Sequence, residues 1–169
     1  VKEVSMSVAF TALRALVFAG AFLWLWTWVA ASVRPLDARL GGSLAAWAAW
    51  PGALALALGA GLTLWCIGAF VLRGRGTPAV FDAPRRLVIT GPYRYCRNPM
   101  YVGGALLLAG FGLVNRSPAI LLLTAPWWLL FLAVAVFYEE PALRARFGPQ
   151  YEEYCRAVPR WIPGGARRH

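Results

Sequence analysis

The chain has 169 residues, 60% of them hydrophobic, with mean hydropathy +0.57 and a formal charge of +10. A water-soluble domain of this length cannot hide that much apolar surface, so lipid is the expected solvent. Nucleic acid is not the expected partner of the positive charge: the arginines fall in short segments between apolar runs and not on one soluble basic face.

A bilayer core about 30 Å thick needs roughly 20 apolar residues at 1.5 Å each. Four runs approach that length. The first centres on Ala15 to Val33, with Arg14 placed to snorkel and Trp24, Trp26 and Trp28 along it. It leads into Arg34 and Pro35 without a small-residue cleavage pattern, and so reads as a retained anchor. The second extends from about Leu44 to Leu72, long enough to require tilt or a kink near Pro51. On it Ala53, Ala57 and Gly61 recur every four residues, a spacing that suits close helix packing or a homodimer contact.

The third run, Pro99 to Val114, is short for a full crossing, stopped by Arg97 and Asn98 before it and by Asn115 and Arg116 after it. The fourth, Pro118 to Tyr138, has full length and ends on Glu139 and Glu140. Beyond them Leu143, Phe147, Tyr151, Tyr154 and Val158 form one apolar stripe at helical spacing, divided by Gly148 and Pro149 into two short amphipathic helices.

The expected fold is therefore all-α: a polytopic membrane helix bundle of about four transmembrane helices with a cytoplasmic C-terminal helical tail. Residues 1–72 form an N-terminal helix pair, and residues 73–169 a half that carries the basic loop, two helices and the tail, within one structural unit. Orientation follows the arginines. Arg73, Arg75, Arg85, Arg86, Arg94 and Arg97 occupy the central loop, and Arg144, Arg146, Arg156, Arg160, Arg167 and Arg168 the tail, which places both, and both termini, on the cytoplasmic side.

Polar chemistry at membrane depth gathers at two places on that side. Thr90-Gly91-Pro92-Tyr93-Arg94-Tyr95-Cys96-Arg97-Asn98-Pro99-Met100-Tyr101 mixes turn formers, aromatic rings and hydrogen-bonding groups, as a polar cofactor with an aromatic base requires. Glu139 and Glu140 demand a cation, since carboxylates near lipid are costly to desolvate. Two readings are open: a ligand site, or a clasp to Arg94, Arg97 or Arg144. Cys66, Cys96 and Cys155 lack metal-ligand spacing and read as reduced thiols; no metal is expected.

From Arg85 to Pro163 the chain resembles the isoprenylcysteine carboxyl methyltransferase and phospholipid methyltransferase family of integral membrane enzymes. The resemblance is carried by Leu87-Val88, Gly91-Pro92-Tyr93-Arg94-Tyr95, Arg97-Asn98-Pro99-Met100-Tyr101, Gly103, Glu139-Glu140, Leu143, Phe147-Gly148, Tyr151, Tyr154, Val158-Pro159-Arg160 and Pro163. It implies an S-adenosylmethionine site formed by Leu87, Val88, Tyr93, Asn98, Pro99, Tyr101 and Glu139, and methyl transfer to a membrane lipid or isoprenoid acceptor. Glu139 would take the cofactor ammonium and the tyrosine faces its sulfonium. Arg97, Asn98 and Glu140 are the candidate catalytic residues.

Two positions depart from the family pattern. Asn98 stands where His is common, and an amide positions a ligand without titrating near neutral pH. Ala135 replaces an arginine linked in the prenylcysteine branch to the substrate carboxylate, so prenylcysteine is not the expected acceptor. Two other functions fit the same scaffold: an NADPH-dependent membrane reductase, although no Gly-rich dinucleotide fingerprint is present, and a non-catalytic lipid-binding protein.

Overall fold

The computed structural model describes residues 2–70 and 87–161; Arg73, Arg75, Arg85, Arg86, Pro163, Arg167 and Arg168, used above, lie outside them. The described residues are helical, with no strand among them. The helices are α1 (Lys2–Val33), α2 (Ala49–Ala69), α3 (Pro99–Val114), α4 (Pro118–Val134), α5 (Glu140–Phe147) and α6 (Pro149–Ala157). The stretches Leu16–Leu40, Ala46–Ala69 and Pro118–Phe147 are long and apolar enough to cross a membrane, and α3 is a shorter apolar helix of 16 residues. This is a membrane helix bundle, as the composition demands.

Proline punctuates the chain. Pro99, Pro118 and Pro149 each open a helix, where the missing N–H costs nothing and the fixed φ is already helical. Pro51 also falls in a first turn, that of α2, and a separate 3-10 turn at Ala46–Ala48 precedes it. The break expected at Pro51 is thus displaced to the turn before it. The first helix also begins well before Ala15, because backbone hydrogen bonding and not side-chain polarity decides where a helix ends.

The chain divides into two compact units. One, here the bundle unit, comprises Ala21–Thr63 and Met100–Leu132; the other, the tail unit, draws its described residues from Val1–Gly20, Leu64–Pro99 and Ala133–His169.

In the bundle unit Ala30, Leu108, Ile120 and Trp127 form a buried cluster covered by Trp26, Tyr101, Phe111 and Phe131. Aromatic edges and faces fill it, with Trp127 and Phe131 4.5 Å apart and Tyr101 and Phe131 4.9 Å apart. Glycine brings α2 and α3 together. A Cβ on Gly59 would stand 2.8 Å from the Gly103 carbonyl oxygen, and one on Gly52 2.7 Å from the Leu113 Cβ. The stripe of Ala53, Ala57 and Gly61 is not this contact: all three are exposed, and the packing glycines occupy a different face of the same helix.

Several polar groups in this apolar setting are satisfied internally, while the Thr63 and Thr124 hydroxyls are buried without a hydrogen-bond partner among the described residues. Thr27 and Ser32 donate their hydroxyls to the carbonyls of Leu23 and Trp28, one turn back. At the start of α4 the Ser117 hydroxyl oxygen accepts from the Ile120 N–H at 3.2 Å and donates to Asp37 Oδ1 at 2.9 Å. The same Asp37 oxygen accepts the Ala119 N–H at 2.9 Å. With Pro118 carrying no N–H, one serine and one aspartate cap the helix.

In the tail unit a π-helical turn, Ala135–Glu139, joins α4 to α5. Pro141 follows it, and its ring excludes an ordinary helical bond to the Phe137 carbonyl, which accounts for the wider turn. Gly148, at φ +51° and ψ −127°, reverses the chain between α5 and α6, in a conformation that side chains with a Cβ avoid. The amphipathic stripe folds onto itself: Tyr151, Tyr154 and Val158 are buried with Leu87, Leu143, Phe147 and Cys155 around them.

Candidate functional site

The loop from Leu87 to Asn98 is built from turn chemistry. Extended Thr90 leads into a 3-10 turn at Gly91–Arg94, closed by N–H groups of Tyr95 and Cys96 on the Pro92 carbonyl at 3.1 and 3.3 Å. Pro92 and Tyr93 are buried. The Tyr93 ring meets Phe70 edge-on at 5.3 Å, its hydroxyl bonds Cys66, and its carbonyl accepts the Tyr154 hydroxyl at 2.6 Å. Burial foremost, then the Cys66 thiol, pushes the Tyr93 phenol well above its ordinary value, so it remains neutral.

The C-terminal segment then runs beside the loop. The Arg97 N–H donates to the Pro159 carbonyl at 2.9 Å, and Asn98 Nδ2 and the Cys96 thiol both donate to the Arg160 carbonyl at 3.3 Å. Burial raises the Cys96 thiol above its usual range, against the opposing pull of the Asn98 backbone and Arg97, which keeps it a donor.

Glu140 is the most buried charge among the described residues, at 3% exposure, and it is a clasp. Arg160 grips it with two bonds, Nε to Oε1 at 2.7 Å and Nη2 to Oε2 at 3.1 Å. Arg97 Nη1 lies 3.3 Å from Oε1 and Arg144 Nη2 3.5 Å from Oε2. Arg144 is shared with Glu152 at 2.7 Å. Three guanidinium groups thus face two carboxylates; Glu139, the neighbour of Glu140 in the chain, is half-buried at the end of the π turn. Both oxygens of Glu140 are engaged, which suits holding better than proton transfer.

Of the expected site residues, Leu87, Val88, Tyr93, Arg97, Asn98, Pro99, Glu139 and Glu140 all belong to the tail unit. Leu87 packs on the tail core, and Val88 and Pro99 are buried. Tyr101 belongs to the bundle unit, against Phe131. Arg94 lies over the exposed Tyr95 ring at 5.5 Å and is not a partner of Glu140 in any bond described above. Sequence reasoning missed Arg160 as the principal partner of Glu140; the only signal was its place in Val158-Pro159-Arg160. It also missed the 2.8 Å contact of Arg97 Nη1 with Cys155 Sγ.

Two polar atoms of the loop, the Thr90 hydroxyl and Arg97 Nε, are buried without a hydrogen-bond partner among the described residues. Unsatisfied buried donors are costly and call for a partner, which a ligand or an ordered water can supply.

The phospholipid methyltransferase family model matches residues 47–150, more than half the chain and all the expected site positions. The chain belongs to the phospholipid methyltransferase family. Among other relatives of this family member, the cobalt-zinc-cadmium resistance protein CzcN of Cupriavidus metallidurans is 32% identical over 100 residues, 59% of this chain and 42% of that protein. The nickel-cobalt-cadmium resistance protein NccN of Alcaligenes xylosoxydans is 30% identical over the same shares. Protein-S-isoprenylcysteine O-methyltransferase B of Arabidopsis thaliana is 31% identical over 115 residues, 61% of this chain and 57% of that protein. The chain thus spans about half the length of the relatives it matches. No solved structure matches it.

Proposed function

We propose that this phospholipid methyltransferase family member transfers a methyl group from S-adenosylmethionine to a lipid or isoprenoid-type acceptor at the cytoplasmic face of the membrane. The observation that carries the reading is the pairing of the family match with a loop that buries two unpartnered donors, Thr90 and Arg97 Nε, in the same unit as Glu139. Bound there, the cofactor would supply an electrophilic methyl group.

Glu139 holds the ammonium by a charge-assisted bond, and Arg97 and Thr90 take acceptor oxygens. Leu87, Val88 and Pro99 provide an apolar wall. Asn98, already tied to the Arg160 carbonyl, fixes the loop from which these groups project. Glu140 works through its arginines, keeping Glu139 at a set place. With no titrating group needed beyond these, catalysis is mainly alignment of the acceptor and exclusion of water. The arginines of the tail, Arg144, Arg146, Arg156 and Arg160, support a cytoplasmic placement.

The test is transfer of label from radiolabelled S-adenosylmethionine to total membrane lipids by the purified protein in detergent or liposomes. Label should move to a lipid band. Tight NADPH binding with no affinity for S-adenosylmethionine would replace the reading with a reductase, and binding of lipid without turnover would leave a lipid-binding protein.

A further inference from the structure

We propose that Arg160 is a positioning residue, one that holds the two halves of the candidate site in register through its backbone on one side and its side chain on the other. The proposal rests on the cofactor reading above and deepens it.

Two segments distant in sequence must cooperate for that site: the loop ending at Asn98, and the end of the π turn at Glu139. Arg160 touches the first through its carbonyl oxygen, which accepts from Asn98 Nδ2 and from the Cys96 thiol, each at 3.3 Å. It touches the second through its guanidinium, which forks onto both oxygens of Glu140, the residue beside Glu139, at 2.7 and 3.1 Å. The Pro159 carbonyl adds the bond from the Arg97 N–H. Arg97 also reaches Glu140, but with the single nitrogen Nη1 at 3.3 Å, which it shares with Cys155 Sγ at 2.8 Å.

A bidentate guanidinium fixes both the distance and the plane of a carboxylate, which a single contact does not. Because Glu140 heads a helix continuous with the turn that carries Glu139, fixing its carboxylate fixes its neighbour. The same residue then sets how far Glu139 stands from Asn98 and Arg97. Loss of the fork uncouples the two segments while every group that would touch the cofactor is retained, so affinity falls by misplacement.

The experiment uses Arg160→Gln and Arg160→Lys in the full chain, with three readouts: equilibrium affinity for S-adenosylmethionine, the split of KM and kcat in the transfer assay, and the rate at which a maleimide modifies Cys96, followed by peptide mass spectrometry. Arg160→Gln is expected to weaken cofactor affinity about tenfold, the effect of losing a charge-assisted bond, to raise the cofactor KM more than it lowers kcat, and to expose Cys96. Arg160→Lys keeps the charge and should recover most of the affinity.

Unchanged affinity and an equally protected Cys96 in Arg160→Gln would overturn the assignment, as would a lysine variant no better than the glutamine one. If the wild-type chain binds no S-adenosylmethionine, the cofactor reading fails, and the Cys96 labelling still reports whether Arg160 holds the loop. If Arg160→Gln does not fold, the lysine variant decides: a loss of affinity of about threefold with faster Cys96 labelling supports the assignment, and affinity and labelling both as in the wild type overturn it.

Discussion

The Tyr154 hydroxyl donates to the Tyr93 carbonyl at 2.6 Å, joining α6 to the 3-10 turn of the loop that precedes α3. Both residues are buried, so the bond is made away from water and neither partner has an easy substitute. Tyr154→Phe removes the donor and strands a buried carbonyl. The expected cost is about 1–3 kcal/mol, seen as a lower Tm in detergent. A variant as stable as the wild type would mean the carbonyl finds another partner.

The tyrosines also predict an alkaline limit. Burial, ahead of nearby thiols and other charges, raises the phenols of Tyr93, Tyr151 and Tyr154 above the ordinary value of 10.0. A folded-state value above the unfolded one means the neutral phenol is favoured by folding. That contribution is complete below pH 10 and is lost as pH rises toward the folded-state values. Of the six tyrosines, these three should ionise only together with loss of helicity in a combined absorbance and circular dichroism titration. Ionisation of all six with helicity intact would contradict the burial argument.

Glu139 and Glu140 are adjacent yet separable by mutation. Glu140→Ala leaves the guanidinium groups of Arg97, Arg144 and Arg160 without their shared carboxylate. The expected loss is about 3 kcal/mol, at the low end for a broken buried pair because Arg144 and Arg160 are partly exposed. Glu139→Ala should instead abolish S-adenosylmethionine binding, with a smaller loss of Tm than Glu140→Ala because Glu139 is less buried. The opposite pattern would exchange the two roles.

Asp37 caps the start of α4. Its Oδ1 accepts both the Ser117 hydroxyl and the Ala119 N–H, completing the cap of α4. Asp37→Ala is expected to cost about 1–2 kcal/mol, and Asp37→Asn, which keeps an acceptor, markedly less. Thermal unfolding of the two variants checks the order; equal losses would point to the charge and not to the hydrogen bonds.

Much of the fold is legible residue by residue. The bounds of α3 follow from the polar pairs Arg97-Asn98 and Asn115-Arg116, and the division of the tail follows from Gly148 and Pro149. The stripe from Leu143 to Val158 reads correctly as one buried face. Of the two uses open to Ala53, Ala57 and Gly61, packing within the described bundle falls instead to Gly52 and Gly59, because size alone does not say which face meets a neighbour. The π turn was hidden for a similar reason: Pro141 in the sequence marks a disturbance without fixing its form.

Apolar run length, helix-opening prolines and the need for a cation beside two carboxylates were determined by the sequence itself, since each depends on local composition and on the cost of placing charge near lipid. Which carboxylate is clasped, and by which arginines, was decided only by the tertiary structure. Arg97 and Arg160 lie far apart in the chain, and a charge pair forms where folding brings both groups within a few ångströms with their planes matched, a condition that composition does not contain.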